Sequence, residues 1–186
     1  MAACALSLCG CFQTGRFVYD IAAGGALAEK AIDEEACVYH GTAGPLTLWV
    51  EGKQSGAFTT VAFDTLVFPS LKEQVALGLG PKDAEELKAS SERALRDFFG
   101  SSKDIFLVVM KKVDRHHDSK SYLLDARMDN NGRTAAEVLV SGGHCRVDRE
   151  RAKSGGLGRL MKLQEDAQRA GLGIWRAASA PNPNWP

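Results

Sequence analysis

Two β-rich stretches that each double back, with one long helix between them, constrain this chain more than any other feature. Leu46-Thr47-Leu48-Trp49-Val50 is built of strand-favouring residues. Glu51–Gly56 is a polar hairpin turn, and Phe58–Phe63 returns as a second strand. Pro81 then opens a helix: proline suits the first helical position, and Asp83, Glu85 and Glu86 favour its positive end. Ala84, Leu87, Ala94, Leu95 and Phe98 recur at helical spacing as an apolar stripe, and Gly100 closes the helix. The second stretch sets the strong strand Ile105–Val113 against Ser121–Met128 across a charged loop, Asp114–Lys120. The order to this point is strand, strand, helix, strand, strand.

Downstream, Asp129-Asn130-Asn131-Gly132 is a turn whose residues tolerate positive φ. Thr134 is an N-cap, and Glu137 completes a capping box for a short helix that ends at Gly142-Gly143. The last helix runs from about Leu157 to Ala170, buries Leu160, Leu163 and Ala167, and stops at Gly171. Upstream, residues 1–36 read as an extension in which Ile21–Ala36 is a short helix weakened by Gly24-Gly25. The folded domain is expected over 37–176, followed by an extended Pro/Asn-rich tail at 177–186.

Composition narrows the function. Hydrophobic residues make up 45%, enough for a real core, and Lys+Arg and Asp+Glu are both 23. A surface that coats nucleic acid needs surplus Lys and Arg, so a zero net charge argues against one, leaving room for a local patch. Cys4, Cys9, Cys11, Cys37 and Cys145 are odd in number and irregular in spacing, a poor disulfide framework and a poor zinc set. Free thiols in a reducing compartment are the expectation. The apolar N-terminus carries no charge before Arg16, so neither a secretory nor a mitochondrial targeting segment fits it well. Acylation of Cys4, Cys9 or Cys11 would tie it to a membrane; burial of a small-residue tail against a partner is the competing account.

Three segments resemble the staphylococcal-nuclease-like family. Val61-Ala62-Phe63-Asp64-Thr65 is similar to that family's strand ending in Val-Asp-Thr-Pro-Glu. Asp129–Gly143 is similar to its glycine-bearing turn and the helix after it. Leu163–Trp175, with its Gly171-Leu172-Gly173-Ile174-Trp175 exit, resembles the family's last helix most closely. The resemblance covers roughly residues 38–176 and implies an α+β fold, an OB-type five-stranded β-barrel with about three helices.

It also implies where a nuclease site would lie, and most of that site is missing. Phosphodiester hydrolysis in such a domain uses a metal held by carboxylates, a water-activating glutamate and two arginines that clamp the phosphate. Thr42-Ala43-Gly44-Pro45 stands where the first carboxylate belongs. No arginine occurs from Gly41 to Leu71, Val67 replaces the glutamate, and Asp118-Ser119-Lys120-Ser121-Tyr122 lacks the second arginine. Asp64 alone matches, as a remnant metal carboxylate, and a plain turn-capping role is open to it as well. A shifted alignment brings Lys120 or Arg127 closer, with Arg127 expected along a strand edge.

Lys111, Lys112, Arg115 and Lys120 form a local basic cluster that could touch phosphate, or a solvated face. His116-His117 is a weak metal pair, and Ser154–Gly158 resembles a phosphate cradle only superficially. Trp49, Phe58, Phe63 and Tyr122 could stack on bases, but core packing explains them more cheaply. The expected function is therefore noncatalytic: a structural or accessory subunit, or protein-interaction scaffold, of a larger complex. Other protein subunits are the expected partners, with membrane proximity through the N-terminal extension. A nucleic-acid-binding OB-type module and a residual calcium-dependent nuclease are the alternatives. No cofactor, metal ion or small-molecule substrate is expected. The expected location is an intracellular reducing compartment, the mitochondrion or another organelle included.

Overall fold

The computed structural model describes residues 30–100, 104–112, 120–128, 132–148, 150 and 157–176. The fold is α+β. Its centre is a five-stranded antiparallel sheet in the order β3-β2-β1-β5-β6. The strands are β1 (Lys30–Gly44), β2 (Thr47–Gly52), β3 (Phe58–Ala62), β5 (Asp104–Lys112) and β6 (Lys120–Arg127). A second, two-stranded sheet pairs β4 (Leu66–Val67) with β7 (Arg146–Val147). The helices are α1 (Leu71–Ala76), α2 (Pro81–Phe99), α3 (Ala135–Ser141) and α4 (Gly158–Arg169), followed by a 3-10 turn, Gly173–Trp175.

The start of the domain differs from the sequence expectation. Residues 30–36 are strand, paired residue for residue with β5 from Lys30↔Lys112 to Ala36↔Phe106, so the domain reaches back beyond 37. Ala31, Glu34, Glu35 and Ala36 favour helix locally, but pairing with an apolar central strand overrides that preference. The part of the expected helix at 21–29 lies outside the described residues, as does the tail at 177–186.

The expected barrel is not closed by a ladder. The outer strands meet at one isolated parallel bridge, Phe63↔Leu123, just past the end of β3. Helix α1 is an element the sequence expectation lacked. Ser70 caps it by accepting from the Glu73 N–H, and Glu73 Oε2 accepts from the Ser70 N–H at 2.7 Å.

The main core lies between the sheet and the helices. Leu48 and Val50 of β2, Ile105, Leu107 and Val109 of β5, and Leu123 and Ala126 of β6 meet Leu95 and Phe99 of α2 and Leu139 and Val140 of α3. Ser91, also buried, donates its hydroxyl to the Pro45 carbonyl and ties α2 to the β1–β2 turn. A second cluster joins Leu77, Leu79 and Leu87 to Ala167, Ile174 and Trp175. On α4, Gln164 is buried while Leu163 is only partly so, because Gln164 Oε1 accepts the Val147 N–H at 2.7 Å.

The N-terminus of α3 is capped twice. Thr134 and Glu137 form the expected capping box, and Asp125 of β6 accepts from the Ala136 N–H at 3.0 Å and the Ala126 N–H at 2.8 Å. Burial pushes the Asp125 carboxyl up to about 6 from 3.8, against the hydrogen bonds that favour its charged form. The folded state then holds a proton that the unfolded chain releases, so this group's contribution to stability falls as pH rises from about 4 to about 6. The expected loss is on the order of 3 kcal/mol across that window. Asp125→Asn is expected to flatten the slope, as urea unfolding at several pH values would show; an unchanged slope refutes the assignment.

Candidate functional site

Strand alternation divides β2 between the core and the surface. Leu48 and Val50 are buried, whereas Trp49 is 44% exposed. On β3, Phe58 is 57% exposed, and the register sets Trp49 opposite Thr60 and Glu51 opposite Phe58, so these four share the outer face. A β-bulge between Tyr39 and Gly41 brings β1 into the same face. Tyr39 packs on Phe99, ring centroids 4.6 Å apart, while exposed His40 joins the aromatic group.

The three rings touch one another. His40 lies 5.3 Å from Trp49 and 5.0 Å from Phe58 between centroids, and Trp49 lies 5.9 Å from Phe58. His40 Nε2 sits 3.0 Å from Glu51 Oε2, which holds the imidazole in place. Rings this close leave no gap for a ligand between them, so the group is a platform and not a cage. The cation two residues beyond Glu51 is engaged: Lys53 pairs with Asp104 at 2.9 Å. The chemistry on offer is apolar and aromatic contact with one carboxylate at the rim.

This corrects the core-packing expectation for Trp49 and Phe58. Phe63 does pack in the core at 4% exposure, and Tyr122 is half-buried. The signal was present in the text: a period-two reading that buries Leu48 and Val50 must turn Trp49 outward.

Asp64 follows β3 and is already at work. Its Oδ2 accepts the Leu123 N–H at 2.8 Å, and its own N–H donates to the Leu123 carbonyl at 2.8 Å. Thr65 Oγ1 donates to the Leu124 carbonyl at 2.9 Å. The Asp-Thr pair thus clasps β6 where the outer strands meet. Asp64→Ala would leave a partly buried N–H without its acceptor and is expected to cost about 1–3 kcal/mol, read from the urea midpoint. An unchanged midpoint would show that the clasp carries no load.

The other expected positions scatter. Thr42-Ala43-Gly44-Pro45 ends β1 and begins its turn, and Val67 sits in β4 opposite Arg146. Arg127 does not run along a strand edge: it is 8% exposed and ion-paired with Glu34 of β1. Among the described residues no group of three His, Cys, Asp or Glu is placed to hold a metal ion. Cys37 and Cys145 are buried free thiols, each pushed up by burial. Arg115, His116 and His117 lie outside the described residues. Lys111, Lys112 and Lys120 fall at one end of the sheet, where Lys30 pairs with Lys112; sequence reasoning missed Lys30 because it is so distant along the chain. No protein-family model matches the chain, and no curated protein matches it in sequence.

Proposed function

We propose that this chain is a noncatalytic, staphylococcal-nuclease-like module of OB type that serves as an accessory or scaffold subunit. In this reading it docks a partner protein on the His40–Trp49–Phe58 platform. The strand order, with outer strands that meet at Phe63↔Leu123, suits a partly open OB-type barrel. The observation that carries the proposal is the platform itself. Large aromatics left exposed and clustered are the residues that dominate protein interfaces. Support for the noncatalytic half comes from Asp64, whose carboxylate binds the Leu123 backbone, and from the missing arginines and glutamate.

Nucleic acid is the less favoured ligand for the platform. Base stacking would suit the rings, but strand binding also needs a basic groove, and here Glu51 and the Lys53–Asp104 pair lie on or beside these strands. Buried free thiols at Cys37 and Cys145 suit a reducing intracellular compartment.

Affinity purification of the tagged chain, with the Trp49→Ser/Phe58→Ser variant beside it and quantification by mass spectrometry, tests the reading. A defined set of proteins retained by the parent and lost from the variant supports it. Identical sets overturn it. Calcium-dependent cleavage of DNA or RNA that Asp64→Ala abolishes would overturn the noncatalytic half.

A further inference from the structure

β3 is an edge of the main sheet, and the direction of its main-chain groups follows from its neighbours. The Gly52 N–H donates to the Ala57 carbonyl at 3.0 Å, and the Phe63 N–H donates to the Leu46 carbonyl at 3.0 Å. Main-chain groups alternate along a strand, so Ala57, Thr59, Val61 and Phe63 turn theirs toward β2, and Phe58, Thr60 and Ala62 turn theirs away. Asp64 keeps the alternation: its N–H donates away from β2, to the Leu123 carbonyl at 2.8 Å. β6 meets this edge there, at the isolated bridge Phe63↔Leu123. Among the described residues no strand pairs with Phe58 and Thr60 on their outward side. The Thr59 hydroxyl reaches the Thr60 carbonyl at 3.5 Å, a long contact that leaves a lone pair of that carbonyl open.

This edge is unguarded. Sheet edges are ordinarily blunted by lysine, by proline or by a bulge. Phe58-Thr59-Thr60-Val61-Ala62 has no charge and no proline, and its register with β2 runs unbroken from Thr47↔Ala62 to Glu51↔Phe58. Its β-branched and aromatic residues favour strand pairing. Phe58, Thr59 and Thr60 are all exposed, although Val50, the ladder partner of Thr59, is buried. The start of β3 therefore runs past the core and is open on both faces. The charged groups at the adjoining end of β2 are taken, Glu51 by His40 and Lys53 by Asp104. A charged segment finds no free counter-charge in them, so an uncharged one suits this edge.

We infer that the Phe58–Thr60 edge takes an uncharged, extended segment of the partner protein as an added strand antiparallel to β3. The inference rests on the docking reading of the His40–Trp49–Phe58 platform and names what docks there. The main chain of the segment exchanges hydrogen bonds with the N–H and C=O groups of Phe58 and Thr60, the source of affinity in strand addition. Antiparallel pairing is the more stable sense. Every second side chain of the segment lies beside Phe58 and Thr60 on the outer face, where Thr60 is opposite Trp49. Apolar or aromatic residues at alternate positions are therefore its expected pattern.

The probe is a phage-displayed library of random peptides of about ten residues, a long strand by ordinary standards, selected on the full chain. Affinity of the selected peptides is expected to fall at least about tenfold when a peptide nitrogen facing β3 is methylated, and to hold when the nitrogens between are methylated. Hydrogen exchange at the Phe58 and Thr60 amides is expected to slow at least about tenfold in the complex. Thr59 and Val61, whose amides already face β2, should change little. Thr60→Pro removes an outward N–H without touching the β2 ladder, so it is expected to keep the fold and weaken binding at least about tenfold. Thr60→Lys guards the edge with a charge and carries the test if the proline variant does not fold. Peptides that bind both variants as tightly as the parent overturn the inference. If Trp49→Ser/Phe58→Ser still abolishes their binding, the platform reading survives alone, so the two failures are distinguishable. Binding without the alternating methylation pattern overturns the inference, as does a selection that yields no peptide. A dimer of the chain in sedimentation equilibrium that Thr60→Lys dissociates assigns the edge to a second copy and likewise overturns it.

Discussion

Gly173→Ala is expected to cost at least about 4 kcal/mol, a large part of the stability of a domain this size. Two terms add. Gly173 has φ 53, a left-handed conformation that costs an alanine about 1 kcal/mol. The second term is space. A Cβ on Gly173 would enter the carbonyl of Gly143, well inside the 3.0 Å that real Cβ atoms respect. Gly143, with φ 67, meets the Leu172 carbonyl in the same way. The two backbones are held together by the Ile174 N–H, which donates to the Gly143 carbonyl at 2.8 Å. Pushing them apart breaks that bond and lifts Ile174 and Trp175 from the second core cluster. Gly171→Ala is the control, for Gly171 has φ 62 but nothing within 4 Å of its Cβ position. It should cost only the conformational term, about 1 kcal/mol. Urea midpoints of the two variants measure the difference directly. If they agree within about 1 kcal/mol, the close approach of the two glycines is not what holds the exit of α4.

Trp49→Ser/Phe58→Ser is expected to weaken partner binding at least about 100-fold while leaving the chain as stable as the parent. Aromatic anchors at the centre of an interface commonly lose 2 kcal/mol or more each on truncation, roughly 30-fold per residue. The rings touch each other and His40, so their losses are not additive, and a factor of about 100 for the pair is a conservative expectation. Stability should change by no more than about 1 kcal/mol, because both side chains lie on the outer face of the sheet, Trp49 44% and Phe58 57% exposed. Leu48→Ala supplies the opposite case one residue away. Leu48 is fully buried, and its truncation should cost about 2–5 kcal/mol. A pull-down quantified against a denaturation midpoint separates the two: lost binding with an unmoved midpoint marks the face as a docking surface. Lost stability in the double variant would mean that the rings are structural.

Much of the fold was legible because it is local. Pro81 at the first turn of α2, the Thr134/Glu137 capping box on α3 and the turn between Trp49 and Phe58 are all settled within a few residues of chain. The missed helix α1 was legible by the same rule, since Ser70 and Glu73 form a capping box. The candidate site was half legible. Trp49 and Phe58 stand out in the sequence for their rings, and alternation alone turns Trp49 outward. The part played by His40 could not be read, because it depends on a one-residue bulge in β1.

The boundary between what the chain's own text settles and what the tertiary structure settles follows the distance over which the deciding interaction acts. Caps, turns and the stop of α4 at Gly171 are governed by backbone sterics and hydrogen bonds over three to five residues, so residue types alone announce them. Partners that lie far apart in sequence announce nothing. Helix-favouring residues at 30–36 become strand because β5 supplies a ladder. Gln164 is buried because the Val147 N–H needs an acceptor, Asp64 is taken up by Leu123, and Lys30 pairs in register with Lys112. Burial, pairing and charge are shared properties of residues brought together, and only the assembled sheet and helices define which residues those are.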